Sequence, residues 1–444
     1  MQFLWIFVSR VVVVKNQSTK SQMEWRMKKL TFASIVSACM VPILFYSQDS
    51  SAIPAFARKY QTSCYTCHAG FPTRNAFGEA FKANGYRWPG GEEEDHAKQE
   101  QTKLGADGWK KTFPASPWPS DIPGFAPFSI FLTGPLVNYS QSVQRSNGTQ
   151  VTAETLNWAG PFDGRILVGG TIGEQLGFFG AFESLSKGTT QSNFRATWSF
   201  APGVMLGVGN AFSFWQSGED EATYTGVFPS TTGTGLEFTY AGGEKSGGVR
   251  LYAGTVSNGT TAATITNKQH LDDIRYGRVE YKIGGAGVLS GAGGTYGNEY
   301  IGLDNALEIG ASIVNAKPGI FTKAYGYDNN QTVYGVDVSG NYGSFTGGVA
   351  WSRGADSGLN NYGVDAGYYF YPWLQGKVAY RRLEDKLLGV DKTNPTIAFT
   401  LTGWTRANVS IAAAYTLFEK RQDPTNTDGR NNANTFKLTT ALAF

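Results

Sequence analysis

Three side chains close together could do chemistry as a set: Cys64, Cys67 and His68, in the run Cys64-Tyr65-Thr66-Cys67-His68. This is the C-x-x-C-H pattern, in which two thiols become thioethers on the vinyl groups of a c-type haem and the adjoining imidazole binds its iron. Two intervening residues let one short turn span the porphyrin edge and leave the next residue aimed at the metal. Other uses of the pattern lack their remaining parts. A zinc ribbon takes four ligands, but no cysteine follows Cys67 and the other histidines are His96 and His270. A thioredoxin-like C-x-x-C sits in a βαβ pattern, which is missing here. The expectation is one covalently attached haem c, with Cys64 and Cys67 as attachment points and His68 as the metal ligand.

The second axial position stays open at this level. His96, after the acidic run Glu92-Glu93-Glu94-Asp95, could reach back to the iron or be a solvated loop residue. Met205 and His270 fall in the later, strand-rich part and read as structural, and an unoccupied position also satisfies the sequence. Arg58, Lys59 and Lys82 could neutralise haem propionates, although surface solvation is the default for such residues. No Ser/His/Asp set or second metal cluster is present, so no catalytic residue is assigned.

The elements that must position the motif are short. Pro54 suits the first turn of a helix, and Phe56 and Tyr60, four apart, would share its face. After Phe71-Pro72, the spacing predicts a helix from Thr73 to Asn84 stopped by Gly85, with Phe77, Ala80 and Phe81 as its apolar stripe. A domain of about 60 residues buries little by itself, so the haem would be its core. Residues 53–112 are assigned to this small α-helical cytochrome domain.

From Met27 the chain reads Lys28-Lys29, an apolar run from Leu30 to Tyr46, and Ser50-Ser51-Ala52, the order of an export signal. Residues 1–52 are therefore read as an over-extended start plus signal peptide, with Met27 as the true start. Export fits haem attachment, which takes place outside the cytoplasm. Residues 113–128 carry Pro114, Pro117, Pro119, Pro123 and Pro127, a spacing that blocks helix and reads as a semi-rigid linker.

The rest, 129–444, is strand, turn, strand. Only 16% of the 444 residues are charged, with 56 Gly and 14% aromatics, and no apolar run of membrane-helix length follows the signal. Alternation is clear in 275–283, where Gly277, Val279, Tyr281 and Ile283 oppose Tyr276, Arg278, Glu280 and Lys282. It recurs in 362–370, 374–381 and 396–403, and roughly 14–18 such segments can be counted. Polar stretches such as 217–222, 257–272 and 384–394 read as longer loops on one side. Several polar faces carry Arg, Lys and Glu, which suits a lumen better than a sandwich core. Phe436, Leu438, Thr440, Leu442 and Phe444 alternate to a terminal aromatic, like the last strand of an outer-membrane barrel. The expected fold is an all-β transmembrane barrel of about 16 antiparallel strands in the cell outer membrane. A net charge of +3 with no basic stripe gives no reason to expect nucleic acid.

Phe56-Ala57-Arg58, the C-x-x-C-H run, Phe71-Pro72, Phe77-Gly78, Phe81-Lys82 and Gly85-Tyr86 together resemble the N-terminal segment of fused outer-membrane cytochrome–porins. That family includes outer-membrane iron oxidases. The resemblance implies a haem domain plugging or capping a porin and passing electrons across the outer membrane, with Cys64, Cys67 and His68 carried over as haem ligands. Its implied partners are the lipid bilayer, a periplasmic cytochrome or other carrier, and an extracellular donor or acceptor such as Fe(II). The segments Tyr60-Gln61-Thr62 and Thr73-Arg74-Asn75 depart from the iron-oxidising members and leave the donor open. Two further readings stand beside the conduit: a solute porin with a haem sensor or gate, and a soluble periplasmic haem protein with a β domain.

Overall fold

The alternating segments close on themselves. A computed structural model describes residues 55–91, 93–98, 101–102, 122–123, 127–146, 149–158, 162–183, 191–210, 227–228, 233–258, 273–290, 302–317, 332–355, 360–385, 392–418, 421–422 and 430–443. The expected signal peptide, and most of the linker, lie outside them. Among these residues sixteen antiparallel strands form one closed barrel. They are β1 Phe128–Ser146, β2 in two segments Thr149–Trp158 and Asp163–Ile172, β3 Leu176–Glu183, β4 Gln191–Ala201, β5 Val204–Gly209, β6 Gly233–Gly242, β7 Gly248–Asn258 and β8 Ile274–Gly284. Then follow β9 Ala306–Ala316, β10 Thr332–Tyr342, β11 Phe345–Gly354, β12 Asn360–Tyr371, β13 Leu374–Asp385, β14 Lys392–Arg406, β15 Val409–Phe418 prolonged by Arg421–Gln422, and β16 Arg430–Ala443. Both segments of β2 pair with β1, at its two ends. β16 pairs with β1 from Phe131↔Ala443 to Val143↔Asn432 and completes the ring. The wall begins one residue before the expected Ser129.

The burial pattern is that of a protein turned inside out. On β8 the exposed side chains are Val279, Tyr281 and Ile283, while Tyr276, Arg278, Glu280 and Lys282 are buried. On β6, Leu236, Phe238 and Tyr240 face out and Glu237 and Thr239 face in. A pleated strand sends successive side chains to opposite faces, so an apolar outer face and a polar lumen follow directly from the period-two sequence. An apolar outer band on a closed barrel is the surface a bilayer requires. No helix among the described residues is long and apolar enough to cross a membrane; the crossing is made by strands, 10 residues in β6 and 11 in β8, where about 9–11 suffice.

The two rims differ. At one, residues 173–175, 202–203, 343–344, 372–373 and 407–408 make tight turns, with 285–305 as the exception; at the other, connections such as 210–232, 259–273 and 317–331 are long. Exposed Tyr342, Phe345, Tyr371 and Trp373 form an aromatic band on the tight-turn rim along β10–β13. Short turns mark the periplasmic end of such barrels. From the long-loop end, Val227 and Phe228 reach across the lumen to Ala350 and Leu383 on the far wall, and Ser352 Oγ donates to the Val227 carbonyl.

Candidate functional site

The C-x-x-C-H run folds as one tight turn because its own backbone closes it. Cys64–Thr66 is a 3₁₀ turn in which the Cys67 amide donates to the Cys64 carbonyl at 3.2 Å. Ser63 caps it by accepting from the Tyr65 amide at 3.2 Å. Just before the turn is helix α1, Ala55–Lys59, and just after it a two-strand ribbon pairs His68 with Arg74.

Asn75 locks the turn to the next helix, a role the sequence reading missed. Its Nδ2 donates to the carbonyls of Tyr65 and Thr66 at 2.9 and 3.1 Å, between the two cysteines. Its Oδ1 accepts from the Gly78 amide at 3.0 Å, which makes it the N-cap of α2, Ala76–Ala83. The helix therefore starts three residues later than expected, and Thr73-Arg74 are held in the ribbon instead. An Asn directly before an apolar periodic run is an N-cap signal and could have placed this boundary. α2 lies so close to the motif that a Cβ on Gly78 would stand 2.1 Å from the Cys67 carbonyl.

Phe77, Ala80 and Phe81 are buried, as their spacing predicts. Phe77, Phe81 and Tyr60 form the centre of a cluster joined by Phe56, Cys67, Tyr86 and Trp88. Phe56 and Tyr60 both meet Phe81 edge to face, at centroid distances of 4.9 and 5.9 Å.

The donor set fits a covalently held haem. Cys64 and Cys67 are free, half-buried thiols on one turn. Burial pushes both thiols up, Cys67 to about 12, so neither is poised as the thiolate of a redox or nucleophilic cysteine. Burial, and then the charge of Arg74, lowers His68 to about 4, so its imidazole is neutral near pH 7, the form that binds metal. Its Nδ1 is buried without a hydrogen-bond partner among the described residues, and a buried polar atom left unpaired calls for a ligand or a functional reason.

The motif segment does not stand apart as a separate domain. Residues 52–444 form one unit, and 55–98 sit in the tight-turn mouth as a plug. The Phe71 amide donates to Ala407 at 2.7 Å, and Trp404 Nε1 donates to the Phe71 carbonyl at 3.1 Å. Ala69 packs with Leu303, Tyr369 and Trp404. Tyr86 stacks on Phe179 of β3 at 5.0 Å. Gly177 comes so near the Gly85 carbonyl that a Cβ would lie 1.9 Å from it.

The basic residues considered for propionates need correction. Lys59 is not a solvated surface residue: it is buried, with Nζ 2.5 Å from Glu93 Oε1 and in contact with Thr171 of the wall. Arg58 donates to the Phe128 carbonyl at the start of β1. Both side chains dock the plug. Glu93 also accepts from Tyr60 Oη at 2.6 Å and from the Trp88 amide at 2.7 Å. Lys82 stays near Glu79 on α2. Of the axial candidates, His96 stacks flat on Trp88 at 4.4 Å, Met205 is buried against Gly85 of the plug, and His270 lies outside the described residues.

In fold, the chain is similar to porins. A mutant of Rh. blastica porin aligns at 12% identity over 71% of this chain and 100% of its own, with a TM-score of 0.41. For OprB of Pseudomonas putida the values are 9%, 71%, 94% and 0.45. For a loop-deleted OmpT of Vibrio cholerae they are 11%, 72%, 100% and 0.34. No protein-family model and no curated protein sequence matches the chain.

Proposed function

We propose that this porin-like barrel holds one haem c in its periplasmic mouth and passes electrons between an extracellular donor or acceptor and a periplasmic carrier. The observation that carries the reading is the buried imidazole of His68, its Nδ1 without a partner among the described residues, on a C-x-x-C-H turn that Asn75 clamps inside a closed barrel. Cys64 and Cys67 would hold the haem through thioethers, and His68 would bind its iron. Haem, when bound, supplies a one-electron Fe(III)/Fe(II) couple.

The chain's own residues do the rest. Asn75 and Gly78 fix the turn against α2. Lys59, Arg58, Phe71 and Trp404 fix the plug to the wall. The wall replaces lipid by polar groups at membrane depth, which is what a charged centre needs there.

A second reading, a solute porin with a haem sensor or gate, shares the barrel and the plug. Against a wide-open channel stands one sector of the lumen: Val256, Ile274, Val314 and Val333 on the lumenal faces of β7–β10 are each 0% exposed, while Gln375, Lys377 and Arg381 on the lumenal face of β13 are partly exposed, as the wall of a water-filled lumen is.

The experiment is reconstitution in proteoliposomes with an impermeant redox partner outside. Oxidation or reduction of a carrier trapped inside, lost on His68→Ala, is the expected result. Solute flux without electron transfer would replace the conduit by the porin.

A further inference from the structure

The ribbon that carries His68 is irregular at one residue. His68 pairs with Arg74 and Gly70 with Thr73, so Ala69 is an extra residue with no counterpart across the ribbon. A β-bulge of this kind bends its strand and re-aims a neighbouring side chain. It keeps its shape only where something seats it, and here the barrel does. Ala69 is buried in one cluster with Leu303, Tyr369 and Trp404. Trp404 stands so close that a Cβ on Gly70 would lie 2.8 Å from its indole, and its Nε1 donates to the Phe71 carbonyl at 3.1 Å.

Leu303 comes from the connection 285–305 between β8 and β9, at the rim where turns such as 202–203 and 343–344 take two residues. The described parts of that connection, 285–290 and 302–305, are tied down. The Val288 amide donates to the Gly247 carbonyl at 3.0 Å and the Leu289 amide to Gly243 at 2.9 Å. Asp304 accepts from the Ala286 amide through both oxygens, at 3.1 and 2.9 Å, and from Lys282 Nζ of β8 at 2.6 Å. Leu303, 1% exposed, is thereby fixed one residue before a buried ion pair. On its other side, a Cβ on Gly302 would stand 3.9 Å from the side chain of Asn75, which clamps the turn between the two cysteines. Gly302 and Leu303 thus meet both supports of the motif.

We propose that Leu303 is a positioning residue for haem iron: it seats the bulge at Ala69 and so fixes the aim of the His68 imidazole. The inference rests on the haem reading above. What separates it from plain packing is the residue packed upon, the one whose irregular backbone directs the iron ligand.

The test compares full-length protein matured with haem as wild type, Leu303→Ala, Leu303→Met and Val314→Ala. Val314 is buried in the separate cluster with Val256 and Ile274, so its variant leaves a cavity in the same wall away from the motif. Intact mass establishes that haem is attached and heat-modifiable gel mobility that the barrel is folded; if Leu303→Ala fails either check, Leu303→Val carries the test. The g values of ferric haem, read by electron paramagnetic resonance, depend on how the axial imidazole is oriented. Leu303→Ala should displace and broaden the low-field line. Leu303→Met, which refills the space, and Val314→Ala should keep the wild-type line. An unchanged line in folded, haem-bearing Leu303→Ala, or an equal displacement in Val314→Ala, would overturn the positioning role alone. Wild-type protein without attached haem would overturn the reading beneath it instead.

Discussion

Trp404 and Phe71 are 333 residues apart in sequence and joined by a single hydrogen bond, indole Nε1 to backbone carbonyl at 3.1 Å. The bond ties the wall at the β14–β15 turn to the residue three beyond His68. Trp404→Phe keeps a ring there and removes the donor, which should loosen the docked segment by about 1–3 kcal/mol, the cost of an unmade buried bond. Hydrogen exchange at the Phe71 amide, held by Ala407, should accelerate accordingly. Unchanged exchange would mean that packing alone seats the segment.

Lys59 and Glu93 make a buried pair. Removing one partner of such a pair typically costs about 3–5 kcal/mol because the other charge is stranded. Lys59→Met should therefore expose residues 55–98 to protease while the barrel keeps its heat-modifiable mobility. Lys59→Met with Glu93→Leu should recover part of the loss. Equal sensitivity of the single and double variants would show that the pair contributes nothing specific.

The wall was legible because its alternation is long and regular. Residues 275–283 and 362–370 divide between lumen and lipid as their period-two pattern requires. The closed ring of sixteen strands falls within the range counted from sequence. The plug was legible only in part. Phe77, Ala80 and Phe81 mark α2, but Asn75 fixes its start through contacts with Tyr65 and Thr66, backbone groups that no periodicity displays. Lys59 looked like a solvent residue because a side chain buried against a distant strand carries no local signal.

In haem-free protein, made with Cys64→Ser and Cys67→Ser, the imidazole of His68 should titrate at about 4 rather than 6.5. An imidazole that loses affinity for its proton on folding makes unfolding take up a proton between those values. Stability of the plug should therefore fall as pH drops from about 6.5 toward 4. NMR of the three histidines reads the titration directly. A His68 value near 6.5 would place the ring in solvent.

The packed lumenal sector at Val256, Ile274, Val314 and Val333, with Phe228 packed on the far wall and the plug in the other mouth, predicts a strongly narrowed path. Purified protein in planar bilayers should lack porin-sized conductance steps. Loss of residues 55–98 combined with Phe228→Gly should give them, since the plug and the loop contact narrow opposite ends. Large steps from the intact protein would favour the solute-porin reading.

Haem attachment at Cys64 and Cys67 is tested most directly by the intact mass of mature protein purified from outer membranes of cells that carry a haem c maturation system. The expected result is a polypeptide heavier by one haem, with the addition lost when Cys64 and Cys67 are both replaced by serine. A folded barrel whose mass equals that of the bare polypeptide would contradict it.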